Sequence, residues 1–332
     1  MKAALIHKYG PPDVFRLEDT PTPEPGPNDL LIEVHASSVN PVDYNIRQGG
    51  QRGAIRYKLP HILGLDLSGV VVKVGAKVEE FQPGDEVYSS PNHLRQGTYA
   101  EYTVIDASAV ALKPQNLSHQ EAASIPLVGL TAWEALVVKG ALKPQQKILI
   151  QAGSGGVGTF AIQLAKHLEA EVFTTCSARN IPLVSGLGAD HVIDYTSVNF
   201  DDVCRDLDLV LDALGEPHQS RALKTLRRGG HLAALNAGLP ENTKTFGPFS
   251  GLLITGIQIA RFKLKARLHY GVSSSQILRQ TRGALLSKIT PLLEEGIIKP
   301  IIDRAYPLEH IAEAHRYIET GRARGKIVIT VK

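Results

Sequence analysis

Cysteine is scarce in this sequence of 332 residues, which holds only Cys176 and Cys204. Two cysteines cannot build a disulfide framework or a four-cysteine zinc site, although their number allows one disulfide bond. The four apolar residues 3–6, followed by a basic pair, fall short of the apolar core of about seven to fifteen residues in a signal peptide. We therefore predict a protein of a reducing compartment, located in the cytoplasm.

Long hydrophobic runs and an excess of one charge sign are missing as well. The longest apolar run, residues 251–260, has half the ~20 residues that cross a bilayer. The 36 Lys and Arg against 33 Asp and Glu leave a net charge of +3, spread along the chain. We therefore predict no membrane span and no nucleic-acid partner, while a small anionic ligand stays compatible with this charge.

The remaining composition is ordinary for a folded protein, with 43 % hydrophobic and 21 % charged residues and a length that predicts about two domains. Residues 1–119 alternate apolar and polar side chains between Gly and Pro turns, which is typical of a β-rich domain with little helix. Over residues 120–272, short apolar strands alternate with helix-period segments, which predicts an α/β domain with a doubly wound parallel sheet. Residues 273–332 are predicted to return and complete the first domain.

Individual elements of the later chain can also be predicted. Strands are expected at 147–151, 171–175, 191–194, 207–212 and 231–235. After residue 272 we predict a helix over 275–295, an extended piece around 300–302, a helix over 308–320 and a strand over 326–331. The basic apolar segment 254–268 fits a lid, an interface element or a helix with a solvated basic face, and a charge run favours the last.

A glycine-rich loop follows the first of these strands. Gly153, Gly155 and Gly158 have the G-x-G-x-x-G spacing, and an amphipathic helix pattern follows them. This context favours a dinucleotide site over a plain tight turn, because glycine lets the backbone N–H groups at a helix start approach a pyrophosphate. The residues predicted to hold the cofactor here are Gly153, Ser154, Gly155, Gly156, Val157 and Gly158.

The end of the second strand predicts which cofactor binds. NAD sites place an acid about 20 residues past the loop, on the ribose 2′-hydroxyl. No acid occurs between Val172 and Ala189, and Arg179 and Ser177 offer a guanidinium and a hydroxyl suited to a 2′-phosphate. We therefore predict NADPH, with a solvent-facing loop cation as the alternative interpretation of Arg179.

Motifs along the whole chain resemble those of one superfamily. They occupy residues 39–43, 60–66, 83–88, 129–132 and 321–326 and read Val-Asn-Pro-Val-Asp, Pro-His-Ile-Leu-Gly-Leu-Asp, Pro-Gly-Asp-Glu-Val-Tyr, Gly-Leu-Thr-Ala and Gly-Arg-Ala-Arg-Gly-Lys. The chain thereby resembles the medium-chain dehydrogenase/reductase superfamily, in its zinc-free quinone oxidoreductase (zeta-crystallin-like) branch, and especially the reticulon-4-interacting NADPH oxidoreductases. The resemblance implies a GroES-like β-rich catalytic domain, a Rossmann cofactor domain and a homodimer.

The resemblance also implies that no metal is bound. Zinc-dependent relatives carry three ligands at the positions of Asn40, Leu65 and Leu127, and none of these side chains is a suitable ligand. The proton-relay hydroxyl and imidazole of those relatives would map to Val42 and Asn45. Oxidation of a simple alcohol would thus lack both its Lewis acid and its proton path.

Catalytic roles implied by the resemblance fall on three residues. Asn40 is expected to hydrogen-bond the nicotinamide ribose or the acceptor carbonyl, and Thr131 to contact the nicotinamide. For both, a satisfied polar group in a loop is the alternative. Tyr44 is the nearby phenol that could donate a proton to a quinone oxygen, and a half-buried packing role is its alternative.

Further cofactor contacts are implied at the sheet edge and near the end of the chain. Tyr195 is expected near the adenine or the 2′-phosphate, with packing on the sheet edge as the alternative. Leu214 and Asn236 follow strands at their carboxyl ends, where ligands bind in open α/β sheets, and should line the nicotinamide side. Arg324 and Lys326 resemble the family's pyrophosphate contact from the catalytic domain, with an exposed basic turn as the alternative.

These residues predict an NADPH:quinone reductase that works without zinc on a hydrophobic small molecule that is already electrophilic. A reductase of enones or enoyl thioesters shares every motif above and stays open. A third class of function, an NADPH-binding sensor or scaffold, is disfavoured by the retention of Asn40 and Thr131.

Overall fold

The chain of the computed structural model, described over residues 1–278 and 280–332, divides into two units. The first unit consists of Met1–Leu130 and Thr281–Lys332, and the second of Thr131–Gln280. The predicted boundaries after residues 119 and 272 fall shortly before these divisions. The first boundary differs because the helix over His119–Ala123 packs on the first unit's sheet, and the second because the strand Ser273–Gln276 joins the second unit's sheet.

The elements are numbered in chain order. The strands are β1 Lys2–Ile6, β2 Phe15–Asp19, β3 Asp29–Val39, β4 His61–Ile62, β5 Leu67–Val74, β6 Glu86–Ser89, β7 Tyr102–Asp106, β8 Val110–Leu112, β9 Lys147–Ile150, β10 Glu171–Cys176, β11 His191–Asp194, β12 Leu207–Asp212, β13 Leu226–Ala234, β14 Ser273–Gln276, β15 Ile302–Pro307 and β16 Lys326–Thr330. The helices are α1 Pro41–Arg47, α2 His119–Ala123, α3 Pro126–Trp133, α4 Gly156–His167, α5 Ile181–Gly186, α6 Phe200–Val203, α7 His218–Ala222, α8 Leu239–Phe246, α9 Pro248–Lys265, α10 Gly283–Glu294 and α11 Ile311–Glu319. The π-helical stretches Glu134–Lys139 and Ala266–Tyr270 continue α3 and α9, and 3₁₀ turns cover Pro12–Val14, Ala107–Ala109, Ala178–Asn180 and Leu308–His310.

The first unit is built around strand β3. It pairs antiparallel with β5, β7 and β16, in a sheet ordered β15-β16-β3-β5-β6-β8 with β7 on β3. Alternate side chains of a strand point to one face, so Leu30, Ile32 and Val34 enter one core with Val71 and Val87. A second sheet has the order β2-β1-β4. Strands β15 and β16 bring the end of the chain into the larger sheet.

Strand β5 approaches β3 closely at Gly69. A Cβ on Gly69 would lie 2.0 Å from the carbonyl oxygen of Glu33, so no side chain fits there. Close by, the register between the two strands shifts between Val34 and Ala36. Such an irregularity re-aims the strand that follows it, and here it precedes residues 37–40, which carry part of the candidate site.

The second unit contains a parallel sheet in the order β11-β10-β9-β12-β13-β14. The direction of strand order reverses at β9, and the carboxyl end of β9 is therefore at the switch point where open α/β sheets bind ligands. All five strands predicted for this region are present, although β13 begins at Leu226 rather than at residue 231. The predicted α/β class with a doubly wound sheet is confirmed.

The predicted helix over 275–295 is wrong in its first part. Residues Ser273–Gln276 form β14 at the edge of the sheet, and α10 begins only at Gly283. The strand is polar, and its side chains bond across the ladder: the His231 ring lies 2.7 Å from the Ser273 hydroxyl and 2.8 Å from that of Ser275. A strand held by polar contacts escapes a search for apolar periodicity.

The basic apolar segment 254–268 lies in α9 and its π-helical continuation, which confirms the helical interpretation. Helices α8 and α9 pack against each other, and Asn242 of α8 donates to Thr255 Oγ1 at 2.9 Å and to Gln258 Oε1 at 2.7 Å. Across residues 1–278 and 280–332, none of the helices has both the length and the apolar character that a bilayer crossing requires.

Candidate functional site

The glycine loop joins β9 to α4 in the second unit. A Cβ on Gly153 would lie 2.0 Å from Thr174 Oγ1 of β10, and one on Gly158 would lie 2.5 Å from the Ala152 carbonyl oxygen. Both positions therefore exclude a side chain. At Gly155 the nearest atom to a Cβ would be 3.3 Å away, so this glycine keeps the outer surface of the loop open.

The start of α4 offers backbone donors to a ligand. Its N-cap, Gly155, makes no side-chain hydrogen bond to the helix. The first N–H groups of a helix have no partner within it, and the helix dipole adds positive potential there. Gly156, Val157 and Gly158 therefore present donors to an anion, and the loop fits the pyrophosphate of a dinucleotide.

Asn180 ties this loop to the second strand. Its Nδ2 donates to Ser154 Oγ at 2.9 Å and to Ser177 Oγ at 3.3 Å, while its buried Oδ1 has no hydrogen-bond partner in the structure. The predicted loop residue Ser154 and the predicted 2′-phosphate residue Ser177 are thus brought together by a side chain that sequence reasoning missed. An asparagine in a loop carries no pattern that could have indicated this role.

The residues predicted to select the cofactor lie at the carboxyl ends of β10 and β11. Ser177 follows β10 directly, and Arg179 is exposed on the 3₁₀ turn after it. Tyr195 follows β11 and is 62 % exposed. Because Cys176 pairs with Asp194 in the parallel ladder, all three predicted residues lie at one edge of the sheet.

A cavity of about 510 Å³ lies at the carboxyl ends of β12 and β13, still within the second unit. Leu214 and Asn236, the residues predicted on the nicotinamide side, both line it. Its other wall includes Gln258 and Phe262 of α9. The carboxyl ends of these strands therefore carry a partly open cavity, as expected for a ligand site in an open α/β sheet.

Asp212 fixes the loop beside this cavity. Its buried carboxylate accepts hydrogen bonds from the backbone N–H groups of Leu214 and Gly215 at 3.2 and 3.1 Å, and from Gln219 Nε2 at 2.8 Å. Burial raises the pKa of Asp212 to about 6, although the hydrogen bonds oppose this shift. The carboxylate thus holds Leu214 in place, a role that sequence reasoning left unassigned.

The first unit contains a buried polar cluster around Asp66. One carboxylate oxygen, Oδ2, accepts from Ser38 Oγ at 2.6 Å, Asn40 Nδ2 at 2.8 Å and Lys326 Nζ at 3.2 Å. The other oxygen accepts from the Leu127 backbone N–H at 2.6 Å. Lys326 also donates to Asn40 Oδ1. The structure therefore brings Asn40 and Lys326 together, although the sequence predicted separate ligand contacts for them.

Arg324 and Lys326, both predicted at the pyrophosphate, have different surroundings. The ammonium of Lys326 is buried on Asp66 and Asn40. Arg324 is exposed in the turn before β16, where its backbone N–H donates to Asp303 at 3.1 Å. A pyrophosphate contact by Lys326 would require the buried ion pair to open, so the geometry favours Arg324 for that role.

Helix α1 places Asp43 and Tyr44 after Asn40. The Asn40 backbone N–H donates to Asp43 Oδ2 at 2.8 Å, and Tyr99 Oη donates to the same oxygen at 3.2 Å. Asp43 Oδ1 is buried without a partner. Burial, more than the repulsion from Asp66, raises the pKa of Asp43 to about 7. Tyr44 is half-buried on this helix.

The three residues at the zinc-ligand positions of related enzymes make other contacts in this structure. Asn40 is engaged by Asp66 and Lys326, and Leu65 is buried in an apolar core. Leu127 contributes its backbone N–H to Asp66, and Thr131, predicted at the nicotinamide, is buried in the same helix α3. In the part of the chain that the structure describes, no three His, Cys, Asp or Glu side chains are grouped so that they could hold a metal ion.

Comparison with known proteins gives matches along the chain. Residues 26–115 match the family described as alcohol dehydrogenase GroES-like domain, and residues 187–329 match zinc-binding dehydrogenase. The chain is 38 % identical to NAD(P)H oxidoreductase RTN4IP1, mitochondrial, of Mus musculus, covering 100 % of this chain and 89 % of the relative. It is 36 % identical to 2-methylene-furan-3-one reductase of Solanum lycopersicum, covering 99 % and 79 %. The quinone oxidoreductase from Coxiella burnetii superposes with a TM-score of 0.87 at 32 % identity, covering 100 % and 99 %.

The names of these relatives agree on redox chemistry but differ in the acceptor that they give. One name gives a quinone, and another gives a 2-methylene-furan-3-one. The name of the mouse protein places that protein in mitochondria and includes both cofactor forms. The quinone acceptor, the choice of NADPH, the homodimer and the cytoplasmic location of this chain therefore stay predictions.

The Asp66 cluster generates a stability prediction. Asp66→Asn should lower the free energy of unfolding by about 3–5 kcal/mol, because it leaves the Lys326 ammonium buried without a carboxylate. Adding Lys326→Met should restore part of the loss. Urea unfolding followed by circular dichroism measures both changes.

A surface ion pair provides the matched control for this experiment. Glu24→Gln removes the carboxylate of the exposed Glu24–Lys73 pair and should cost no more than about 1 kcal/mol. If Asp66→Asn costs no more than Glu24→Gln, the cluster does not hold the first unit together.

The raised pKa of Asp43 generates a pH prediction. Between about pH 4 and pH 7 the folded protein keeps the Asp43 proton that the unfolded chain releases, so this group lowers stability as pH rises. An amide side chain cannot ionise, so the Asp43→Asn variant does not lose stability in this way. The stability of the wild type relative to Asp43→Asn should therefore fall across this range, as measured by urea unfolding at several pH values.

An exposed aspartate of β2 serves as the control for Asp43. Asp19→Asn changes the same chemical group outside the core, and its profile should stay parallel to that of the wild type. Parallel profiles for Asp43→Asn as well would show that the Asp43 carboxyl titrates alike in the folded and unfolded chain.

Proposed function

Because this chain belongs to the medium-chain dehydrogenase/reductase superfamily and is an NAD(P)H oxidoreductase, we propose that it transfers hydride from NADPH to a quinone or a similar electrophilic carbonyl, without zinc. One observation carries the proposal. The second unit has a glycine loop that fits a pyrophosphate, while the first unit has an amide and two leucines, Asn40, Leu65 and Leu127, at the zinc-ligand positions.

When bound, NADPH supplies the hydride. The backbone N–H groups at the start of α4 would hold its pyrophosphate, and Arg179 and Ser177 would bind the 2′-phosphate by charge-assisted hydrogen bonds. Tyr195, exposed at the same sheet edge, would lie beside the adenine end. The loop that follows β10 contains no Asp or Glu. The Asp194 carboxylate at the end of β11 accepts a hydrogen bond from the Ala178 backbone N–H, so Arg179 is the group in this loop that would offset the charge of a 2′-phosphate.

The chain's own residues support an acceptor that is electrophilic before it binds. Leu65 and Leu127 offer no metal ligand, and the Asn40 amide oxygen already accepts from Lys326. An amide nitrogen has two hydrogens, and Asp66 takes one of those on Asn40. We assign the other to the ribose or the acceptor carbonyl, with Thr131 at the nicotinamide, Tyr44 as a candidate proton donor and Arg324 at the pyrophosphate.

A second candidate function is reduction of an enone, an alkenal or an enoyl thioester. It is favoured by the tomato relative, whose name gives 2-methylene-furan-3-one as the substrate. The glycine loop and the side chains at the zinc positions support this chemistry as well, because the carbonyl polarises the conjugated double bond and makes its β-carbon electrophilic without a metal. A homodimer and a cytoplasmic location complete the proposal.

An acceptor panel tests the proposed function. The protein should oxidise NADPH with benzoquinone or phenanthrenequinone faster than with an aliphatic enone or an enoyl thioester, because quinones accept hydride without metal activation. The loss of NADPH absorbance with each acceptor gives the rates, and NADH is the matched cofactor control.

Each other result of the panel has a definite meaning. Turnover with the enone or the thioester alone would replace the quinone proposal by the second candidate. Absence of turnover with tight NADPH binding would assign a sensor or scaffold role. A zinc chelator should leave the rates unchanged, and stoichiometric zinc in the purified protein would contradict the zinc-free part of the proposal.

The cofactor preference has its own test at Arg179. Arg179→Asp should weaken NADPH binding relative to NADH binding by about 1–3 kcal/mol, because it removes a guanidinium and adds a charge of the phosphate's sign. Titration of the two cofactors against protein fluorescence measures this difference. Arg228→Asp makes the same charge change at an exposed arginine near the start of β13 and should leave the preference unchanged. An unchanged preference in Arg179→Asp would remove the argument for NADPH.

A further inference from the structure

Helix α9 carries apolar side chains on the side that faces away from the second unit's core. Its buried residues, Gly251 and Thr255, lie on the inner side. The exposed apolar residues recur at intervals of four, four, seven and four and therefore share the opposite face. This α9 outer face consists of Phe249, Leu253, Ile257, Leu264 and Leu268, which are 85, 66, 44, 58 and 69 % exposed.

Single exposed apolar residues are common, but a continuous stripe of them marks an interaction surface. The α9 outer face extends along α9 and into its π-helical continuation, from Phe249 to Leu268. Packing within the second unit explains only the inner side.

Positive charge borders the α9 outer face on both edges. At 3.6 residues per turn, Lys263 falls on one edge, and Arg261 and Lys265 fall on the other. No Asp or Glu occurs anywhere from residue 242 to residue 293. The helix thus combines an apolar stripe with basic borders and has no acid of its own, which is the pattern of helices that lie in the plane of an anionic membrane surface. Glu216 and Glu241 line the cavity beside Arg261 and Lys265, whereas Lys263 lies on the opposite edge of the stripe.

We propose that the α9 outer face docks on an anionic phospholipid bilayer, with its apolar residues in the headgroup region and its cations on the lipid phosphates. Charge complementarity decides between this occupant and a second copy of the chain. A two-fold contact through the same face would bring together the cations of two α9 helices, which carry no acid of their own. An anionic bilayer neutralises them instead.

Docking would also place a ligand cavity next to the lipid. The 510 Å³ cavity at the ends of β12 and β13 is lined by Gln258 and Phe262 of α9. Arg261 and Lys265, the cations on one edge of the α9 outer face, also line it, so the cavity borders the docking face along that edge. A hydrophobic acceptor dissolved in the bilayer would then need to pass only one helix to reach the cavity. This consequence for acceptor supply rests on the proposed function, whereas docking itself does not.

Vesicle flotation of the full chain, with neither NADPH nor acceptor present, tests the docking. The protein should float with vesicles in which phosphatidylglycerol replaces about a third of the phosphatidylcholine and stay behind with phosphatidylcholine alone. High salt should release it, since salt screens exposed charges. Leu264→Asp should reduce partition into the anionic vesicles roughly tenfold or more, because a charge replaces a side chain that enters the lipid.

Val203→Asp is the matched control for Leu264→Asp. Val203 is an exposed apolar residue on α6 of the same unit, so the control makes the same charge change away from α9 and should float like the wild type. Thermal melting of the two variants checks that both are folded. Equal binding to neutral and anionic vesicles, or wild-type flotation of Leu264→Asp, would overturn the proposal.

Sedimentation velocity without vesicles tests the second copy as the occupant. If Leu264→Asp dissociates an oligomer of the wild type that Val203→Asp leaves intact, the α9 outer face is a self-interface and the proposal is wrong. For acceptor supply, Leu264→Asp should lose turnover of a vesicle-borne long-chain quinone while Val203→Asp keeps it. If the wild type reduces no quinone at all, the proposed function fails, and the flotation result stands by itself.

Discussion

The buried carboxylate of Asp66 is the interaction on which the first unit depends. It accepts hydrogen bonds from Ser38 at the end of β3, Asn40 before α1, Lys326 at the start of β16 and the backbone of Leu127. A carboxylate without these donors would be costly to bury, and so would the ammonium without the carboxylate. The position of the Asn40 amide, and with it the geometry assigned to the acceptor side, therefore follows from an ion pair and not from the loop that carries the amide.

The features of this protein that could be predicted are those that depend on residues close together in the sequence. The five strands β9 to β13 of the second unit each carry a short apolar run, and the glycine loop combines a strand, a fixed spacing and a helix start within residues 147–168. Strand β14 was missed because it consists of three serines and a glutamine, and its side-chain contacts with β13 are the polar ones of Ser273 and Ser275 with His231. Local sequence patterns predict the burial of apolar residues well, but they predict polar pairing between strands poorly.

The contacts in the candidate site were harder still to predict from local sequence patterns. Asn40 and Lys326 are 286 residues apart in the chain, and no spacing rule connects them. Arg324 and Lys326 form a basic pair in the sequence, but only the Lys326 side chain is buried in the first unit. The reason is that β16 begins at Lys326 and directs that side chain inward. Asn180 links two predicted residues through one amide. Chemistry at a position can thus be predicted from residue type, whereas its partners depend on the folded arrangement.

The division of the chain has a consequence for the order in which the protein folds during synthesis. The second unit, Thr131–Gln280, is one continuous stretch, whereas the first unit lacks β15, β16 and Lys326 until the stretch after residue 280 has been made. Domains generally fold as units while the chain emerges. Residues 1–130 are therefore synthesised before the second unit but complete their fold after it, because the Asp66 carboxylate lacks the Lys326 ammonium until β16 has been made.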